Sequence, residues 1–567
     1  MSRSLFLHLP LLILLALARV RGDDDDNDNY PKAAVGRVVY RGTYKRSYLG
    51  RRYAAFEGIP YAEPPEGHLR FEEPVPYRPR LSGIFDATRK SDVCAQYYDV
   101  PPKTNGQPET KDSLQGSDDC LYLSVYVPRR FNGDETPMPV IFFIHGGSFQ
   151  YASGTAFGDK YLADRDVVFV TINYRLGVLG FLSTEDEVLP GNLGLKDQAV
   201  ALRWTSDNIA AFGGDPSRVI LAGFSAGSSS IQYHHLSPWS RGLFHGSVAM
   251  SGTVFNPWAF AHRAKEKAQK LGKIFGCSLD SSRTMIDCLK KVPARDLANA
   301  TKQFQYWQYN PEGPFAPVVE RHGSRPFISK EPQKILESPG EAYDVPAVYG
   351  AVSQEGCDPA AEYAPHANLL GELDARWTRI APYLLESADF LSSREQARLS
   401  RESRHEYFGN CSISKETAWN LIELLTDQRY LIGFEAGIRL QARATRSPVY
   451  MYYYSFRATR SYSDHLSRTK NDYGVCHTDD MNLVVENPDI DPAADTNDFR
   501  MSNFLMDMWE SVAVNKGIPR INVDWRPVDG TDPALRYLHI EAPGRYAMSS
   551  SENFGNKKFW KRFFYTA

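Results

Sequence analysis

The sequence has little surplus of charge. Its 567 residues carry 65 lysines and arginines against 68 aspartates and glutamates, a formal net charge of −3. Proteins that hold nucleic acid or an anionic membrane surface concentrate positive charge, so this balance argues against both partners. Long apolar runs are equally scarce. Beyond the first 22 residues no stretch is long and apolar enough to cross a bilayer. The C-terminal NKKFWKRFFYTA is basic and aromatic, and lacks the hydrophobic tail of a lipid-anchor signal. No repeat and no low-complexity linker follows residue 30, so residues 23–567 read as one large domain.

What is present begins with a leader. Residues 1–22, MSRSLFLHLPLLILLALARVRG, place Arg3 before an apolar run from Leu5 to Ala18, followed by small residues. This pattern predicts a signal peptide cleaved after Gly22, and hence a secreted, soluble protein without a membrane anchor. The following DDDDNDN is a solvated acidic run. Seven cysteines, at 94, 120, 277, 288, 357, 411 and 476, suit an oxidising compartment, and their odd number leaves at least one outside any internal pair. Asn299-Ala300-Thr301 and Asn410-Cys411-Ser412 are glycosylation sequons.

Continuous apolar runs at Val140–Ile144, Val167–Asn173, Val219–Ala222, Ser247–Ser251, Val345–Val352 and Pro448–Phe456 predict buried strands. Leu121–Val127 alternates as a strand, and Arg37–Gly42 with Arg51–Gly58 reads as an antiparallel opening hairpin. A helix is expected from about Leu195 to Ala211, and the stretches 253–343 and 365–445 are helix-rich. Strands alternating with helices imply a large, mostly parallel sheet covered on both faces, with helical insertions.

One strand ends in Gly223-Phe224-Ser225-Ala226-Gly227. Glycines on both sides of a serine allow a sharp strand-to-helix turn that lifts the hydroxyl out of the sheet. A serine hydroxyl is a weak nucleophile; it needs a base, a carboxylate to fix that base, and donors for an oxyanion. The donors are sought after the strand Val140–Ile144, at His145-Gly146-Gly147-Ser148, where the amides of Gly147 and Ser148 would join that of Ala226. The acid falls between serine and histidine in chain order. Glu355 at the end of Val345–Val352 is the choice, with Asp358 as the alternative. Among thirteen histidines, His477 stands on a turn after Pro448–Phe456 and before an apolar run. His465 lacks such framing, and His234 and His235 sit on the helix that leaves the serine turn, pointing away from it.

With these residues in view, the sequence resembles the type-B carboxylesterase and cholinesterase family of the α/β-hydrolase fold over essentially the whole mature chain. Phe212–Gly227 is similar to that family's serine signature and Asp118–Val125 to its second signature. Phe56–Ala62, Asn173–Gly177 and Gly191–Gln198 resemble further family blocks. The resemblance implies a triad of Ser225, Glu355 and His477, oxyanion donors at Gly147, Ser148 and Ala226, and disulfides Cys94–Cys120 and Cys277–Cys288. It implies no cofactor and no metal. The chain departs from the cholinesterases: residues 95–119 hold no tryptophan, and Phe224 stands where they carry glutamate. Both differences point to neutral, apolar esters rather than cationic ones. The pattern is most similar to insect secreted esterases, including the juvenile-hormone-esterase-like group, without the glutamine common there before the nucleophile. Ser148 replaces the family's third glycine, which a backbone donor tolerates.

Cys357 and Cys476 flank the acid and the base. If those two meet within hydrogen-bond reach, a Cys357–Cys476 bridge is the expectation. The sequence thus reads as a secreted serine carboxylesterase acting on a small-molecule ester through an acyl-enzyme on Ser225. The alternative is a catalytically silent adhesion member of the same family.

Overall fold

The computed structural model describes residues 30–79, 82–98, 114–128, 136–487 and 496–564. The expected leader, residues 1–22, and the acidic run, residues 23–29, lie outside the described residues. An eleven-stranded sheet forms the centre among the described residues. In chain order its strands are β1 (Thr43–Arg46), β2 (Arg52–Pro60), β3 (Tyr122–Pro128), β4 (Met138–Ile144), β5 (Val168–Ile172), β6 (Gly214–Phe224), β7 (Ser247–Met250), β8 (Ala347–Val352), β9 (Val449–Tyr454), β10 (Leu535–Ala542) and β11 (Arg545–Ser551). Their spatial order is β11-β10-β9-β8-β7-β6-β4-β5-β3-β2-β1. The block from β5 to β10 is parallel, and antiparallel strands close both edges.

The parallel strands are continuous apolar runs because both faces are covered. Along β4, Val140, Phe142 and Ile144 pack into one core while Ile141 and Phe143 pack into the other, as the two-residue period of a strand requires. Helix α1 (Leu193–Asn208) and helix α2 (Ala226–Leu236) contribute to the first core. Helix α3 (Asn497–Val514) seals the second with Trp509. A third core lies outside the sheet. It gathers Trp377, Leu384, Leu421 and Leu425 from the helical insertion with Cys357 and Cys476.

Two sequence expectations need correction. Arg37–Gly42 and Arg51–Gly58 do not pair. Val38–Arg41 pairs with Lys32–Val35 across the turn at Gly36, and β2 pairs with β1. Each segment has a nearer partner, and the Ser47–Gly50 turn, closed by the Ser47 amide on the Arg51 carbonyl at 2.9 Å, sets the second hairpin. The final hairpin β10–β11 was not anticipated. Its apolar Leu535, Leu538 and Ile540 alternate with polar residues, a weaker pattern than the buried central strands show.

Among the described residues no helix is long and apolar enough to cross a membrane. Three disulfides are formed there: Cys94–Cys120, Cys277–Cys288 and Cys357–Cys476, with Cys411 free and exposed. Asn299 and Asn410, the two sequon residues, are both exposed.

Candidate active site

The end of β6 turns sharply into α2. Ser225 occupies the corner with φ 56° and ψ −124°, a conformation costly for a residue with a side chain. The corner is held from both sides. The Ser225 amide donates to the Met250 carbonyl at the end of β7 (2.7 Å), and its carbonyl accepts from the Ser229 amide (2.9 Å) to start the helix. The hydroxyls of Ser228 and Ser229 donate to the carbonyls of Gly252 (2.6 Å) and Thr253 (2.9 Å), tying the first turn to the chain after β7. Ala226 opens the helix, so its amide has no intrahelical acceptor.

The loop after β4 lies against this corner. A Cβ built on Gly146 would fall 2.9 Å from Ser225 Cβ, which places the loop's backbone directly beside the serine. Gly147 has φ +96°, and a Cβ there would meet the Tyr151 carbonyl oxygen at 2.2 Å, so only glycine fits. Ser148 and Phe149 follow with φ 52° and 62°. The amides of Gly147, Ser148 and Ala226 therefore come from two elements that meet at Ser225.

Glu355 and His477, the expected acid and base, sit beyond the carboxyl ends of β8 and β9, on the same edge of the sheet as Ser225. Just beyond the end of β8, Glu355 Oε1 accepts from the Val352 amide at 2.9 Å. Its Oε2 accepts from His477 Nδ1 at 2.7 Å, and neither side chain has more than a few per cent of its surface exposed. That bond assigns the proton to Nδ1 and leaves Nε2 as the basic nitrogen. Burial opposes charge on His477. The hydrogen bond and charge of Glu355, with Asp358 and Glu312 behind, outweigh it and hold the imidazole above its ordinary value of 6.5. The ring also packs on Tyr430, centroids 4.8 Å apart.

Several contacts bring residues 355 and 477 together. The Gln354 amide donates to the Val475 carbonyl (3.0 Å), the Val475 amide returns a bond to Gln354 Oε1 (2.9 Å), and Cys357 is joined to Cys476 across a Cα separation of 5.1 Å. The expected bridge between acid and base loops is therefore present. Asp358, the alternative acid, does not touch the imidazole nitrogen that Glu355 holds. It lines an adjoining cavity, where burial pushes its carboxyl up to about 6.

The remaining histidines near the serine are occupied elsewhere. His234 contacts Gln198 (3.0 Å) and Ser240 (2.6 Å), and His235 contacts Ser247 (3.0 Å). His145 lies face to face with Tyr174, and burial lowers it to about 4. His465 is helical, in Tyr462–Ser467, rather than in a loop.

The model of the Carboxylesterase family matches residues 30–560. The chain belongs to the carboxylesterase family. It is 44% identical to venom carboxylesterase-6 of Apis mellifera over 533 residues, covering 94% of each chain. It is 33% identical to juvenile hormone esterase of Tribolium castaneum, covering 88% of this chain and 87% of that one. The solved structure of juvenile hormone esterase from Manduca sexta, with OTFP covalently attached, superposes with a TM-score of 0.79 at 26% identity, covering 94% of this chain and 99% of that chain. The carboxylesterase thus has the expected α/β-hydrolase fold and is a serine ester hydrolase. Two family-like blocks meet inside it: Arg175 Nη2 pairs with Asp197 Oδ1 at 2.7 Å, fully buried.

Two features escaped the sequence. The first is a buried cluster behind the glycine loop. Ser148 Oγ donates to Glu312, whose other oxygen pairs with Arg429, and Glu386 completes the group. Arg429 gave no signal in the sequence, since it directly follows the polar Thr426-Asp427-Gln428. The second is the cavity beside this cluster, lined by Tyr98, Tyr151, Tyr309, Gln150, Asp358 and Glu362 among others. Its wall mixes tyrosines with carboxyl and amide groups, and Ser225 and His477 are not among its lining residues. The Phe224 ring is packed against Phe143 and Phe157, so its chemistry answers to the core.

Proposed function

We propose that this carboxylesterase is secreted and hydrolyses uncharged esters through an acyl-enzyme on Ser225. The observation that carries this reading is the 2.7 Å bond from His477 Nδ1 to Glu355, set on the same sheet edge as the strained Ser225 corner. With Nδ1 committed, Nε2 takes the proton of Ser225 as its oxygen attacks the ester carbonyl. The oxyanion that forms rests on the amides of Gly147, Ser148 and Ala226. The imidazolium returns its proton to the departing alcohol. Water, deprotonated by the same nitrogen, then releases the acid and restores Ser225.

Three disulfides and the venom and hormone esterases among its relatives support secretion, and the exposed Asn299 and Asn410 are available for glycosylation.

Hydrolysis of a nitrophenyl acetate by the purified protein tests the mechanism. An organophosphate should leave its adduct on Ser225, and Ser225→Ala should lose about a millionfold in turnover. Activity surviving that change, or an adduct elsewhere, sinks the reading. A choline ester turned over faster than its neutral isostere would sink the uncharged-substrate part alone.

A further inference from the structure

The position that departs from the family's glycine, Ser148, makes a contact that a glycine cannot. We propose that the Ser148 hydroxyl, held by Glu312 and Arg429, is the anchor that positions the oxyanion amides in this carboxylesterase, so that Ser148, Glu312 and Arg429 are positioning residues for the reaction. This rests on the reading that Gly147, Ser148 and Ala226 receive the oxyanion.

The backbone shows why an anchor is needed. Ser148 and Phe149 are consecutive non-glycine residues in the left-handed region, at φ 52° and 62°. Each costs about 1–2 kcal/mol relative to ordinary backbone, so the loop has a standing tendency to relax. Relaxation at Ser148 would swing its amide away from the serine. A misplacement of about 1 Å is enough to cost on the order of a hundredfold in rate.

The opposing forces are all aimed at Ser148. Its hydroxyl donates to Glu312 Oε1, and its carbonyl accepts from Gln150 Nε2 at 3.1 Å. Glu312 is itself immobile. Its second oxygen pairs with Arg429 Nη2, and its amide donates to Glu386 Oε1 at 2.6 Å. Glu386 also lies 3.8 Å from Arg429. Arg429 exposes no side-chain surface, and its carbonyl is bonded by Asn256 Nδ2 (2.8 Å) and Trp258 Nε1 (3.1 Å). A charge-assisted bond to a carboxylate that is paired and desolvated is stronger and more directional than one to a solvated group. The chain runs Ser148, Glu312, Arg429, and so joins the loop after β4 to the helical insertion. No other contact of Ser148's side chain competes with it among the described residues.

The test is a double-mutant cycle on the full chain, read by kcat and KM separately for a nitrophenyl ester, with active sites counted by organophosphate. Ser148→Ala keeps the Cβ and its strain but removes the bond. Glu312→Gln weakens the same bond from the other side. Each should lower kcat on the order of ten- to a hundredfold with KM changed by less than about threefold, because the oxyanion exists only in the transition state. The double variant should be no slower than the slower single one. Single variants within about twofold of the parent kcat, or a double loss equal to the product of the single losses, overturn the proposal. If Glu312→Gln does not fold, Ser148→Ala and Ser148→Gly decide. Loss of kcat in Ser148→Ala supports the anchor, and Ser148→Gly, which removes the left-handed strain together with the bond, should lose less; kcat retained in Ser148→Ala shows that the loop holds its shape unaided. Failure of the underlying mechanism would show separately, as activity in Ser225→Ala.

Discussion

The two halves of the site are held by different physics. The nucleophile half, from β4 to α2, is built of backbone: glycines in close approach, a serine in a strained corner, and strands buried on both faces. The acid–base half is built of side chains: a disulfide, a carboxylate on an imidazole, and buried acids bonded to hydroxyls and amides. Backbone construction tolerates almost no added volume, whereas side-chain construction tolerates volume but responds to charge and to covalent links. The variants below separate the two.

The largest effect should fall on the backbone half. A Cβ on Gly227 would lie 2.0 Å from the Ile144 carbonyl oxygen and 2.8 Å from that of His145. Neither atom is the end of a flexible side chain, so β4 or α2 must shift. Gly227→Ala is expected to cost more than about 4 kcal/mol and to abolish turnover, as read by thermal melting and nitrophenyl ester hydrolysis. A well-folded, active variant would mean that the corner is softer than its contacts imply.

Next comes Glu355→Gln, which keeps the volume and removes the charge. The amide cannot hold His477 in the required tautomer as the carboxylate does, so kcat should fall about ten-thousandfold while the melting temperature changes little. The acid limb of the parent's kcat/KM profile should lie above pH 6.5, since His477 must be neutral to act and its pKa is held above that value. An acid limb below that pH would remove Glu355 from its assigned role.

How much of this was legible follows the same division. The serine corner and the glycine loop were readable because backbone constraints leave fixed residue types at fixed spacing: Gly223, Ser225 and Gly227 after a short apolar strand, Gly146-Gly147 after another. Glu355 was readable from its place at a strand end, and the Cys357–Cys476 bridge from the requirement that acid and base meet. Glu312, Arg429 and Glu386 were not. They come from three separate segments, and no spacing in one segment reports a partner 74 or 117 residues away.

Two of the three disulfide-closed loops offer a third, smaller contrast. Cys357–Cys476 spans 119 residues and flanks the acid and base, whereas Cys277–Cys288 spans 11 and lies far from either in sequence. On the loop-entropy account, a loop of about a hundred residues contributes near 5 kcal/mol and one of about fifteen near 3 kcal/mol. Replacing both cysteines of each pair by alanine should therefore lower the melting temperature more for the long loop. Only the long-loop variant should also lose kcat, by about tenfold, since its link sets the distance between residues 355 and 477. Equal kcat in the two variants would show that hydrogen bonds alone hold the acid on the base.

The smallest effect, and the one that compares the halves most directly, is the dependence of stability on pH. In the nucleophile half, burial lowers His145 and His235 to about 4 and His234 to about 3. These groups bind fewer protons folded than unfolded, so the stability they allow is lost as pH falls below 6.5. In the acid–base half and its insertion, burial raises Asp479 to about 6, and Asp480, Asp427 and Glu386 to about 7. Those groups keep protons that the unfolded chain has released, so stability falls as pH rises from about 4 to 7. The two windows overlap, so the halves oppose one another between about pH 4 and 6.5 and their contributions to the slope of melting temperature against pH largely cancel there. Asp480→Asn keeps an acceptor for the Tyr452 hydroxyl, which sits at 2.7 Å from Asp480, and should make the melting temperature rise more with pH across that window. His234→Gln should make it fall more with pH across the same window. If both substitutions shift the slope in the same direction, the division between backbone and side-chain construction does not extend to their stability.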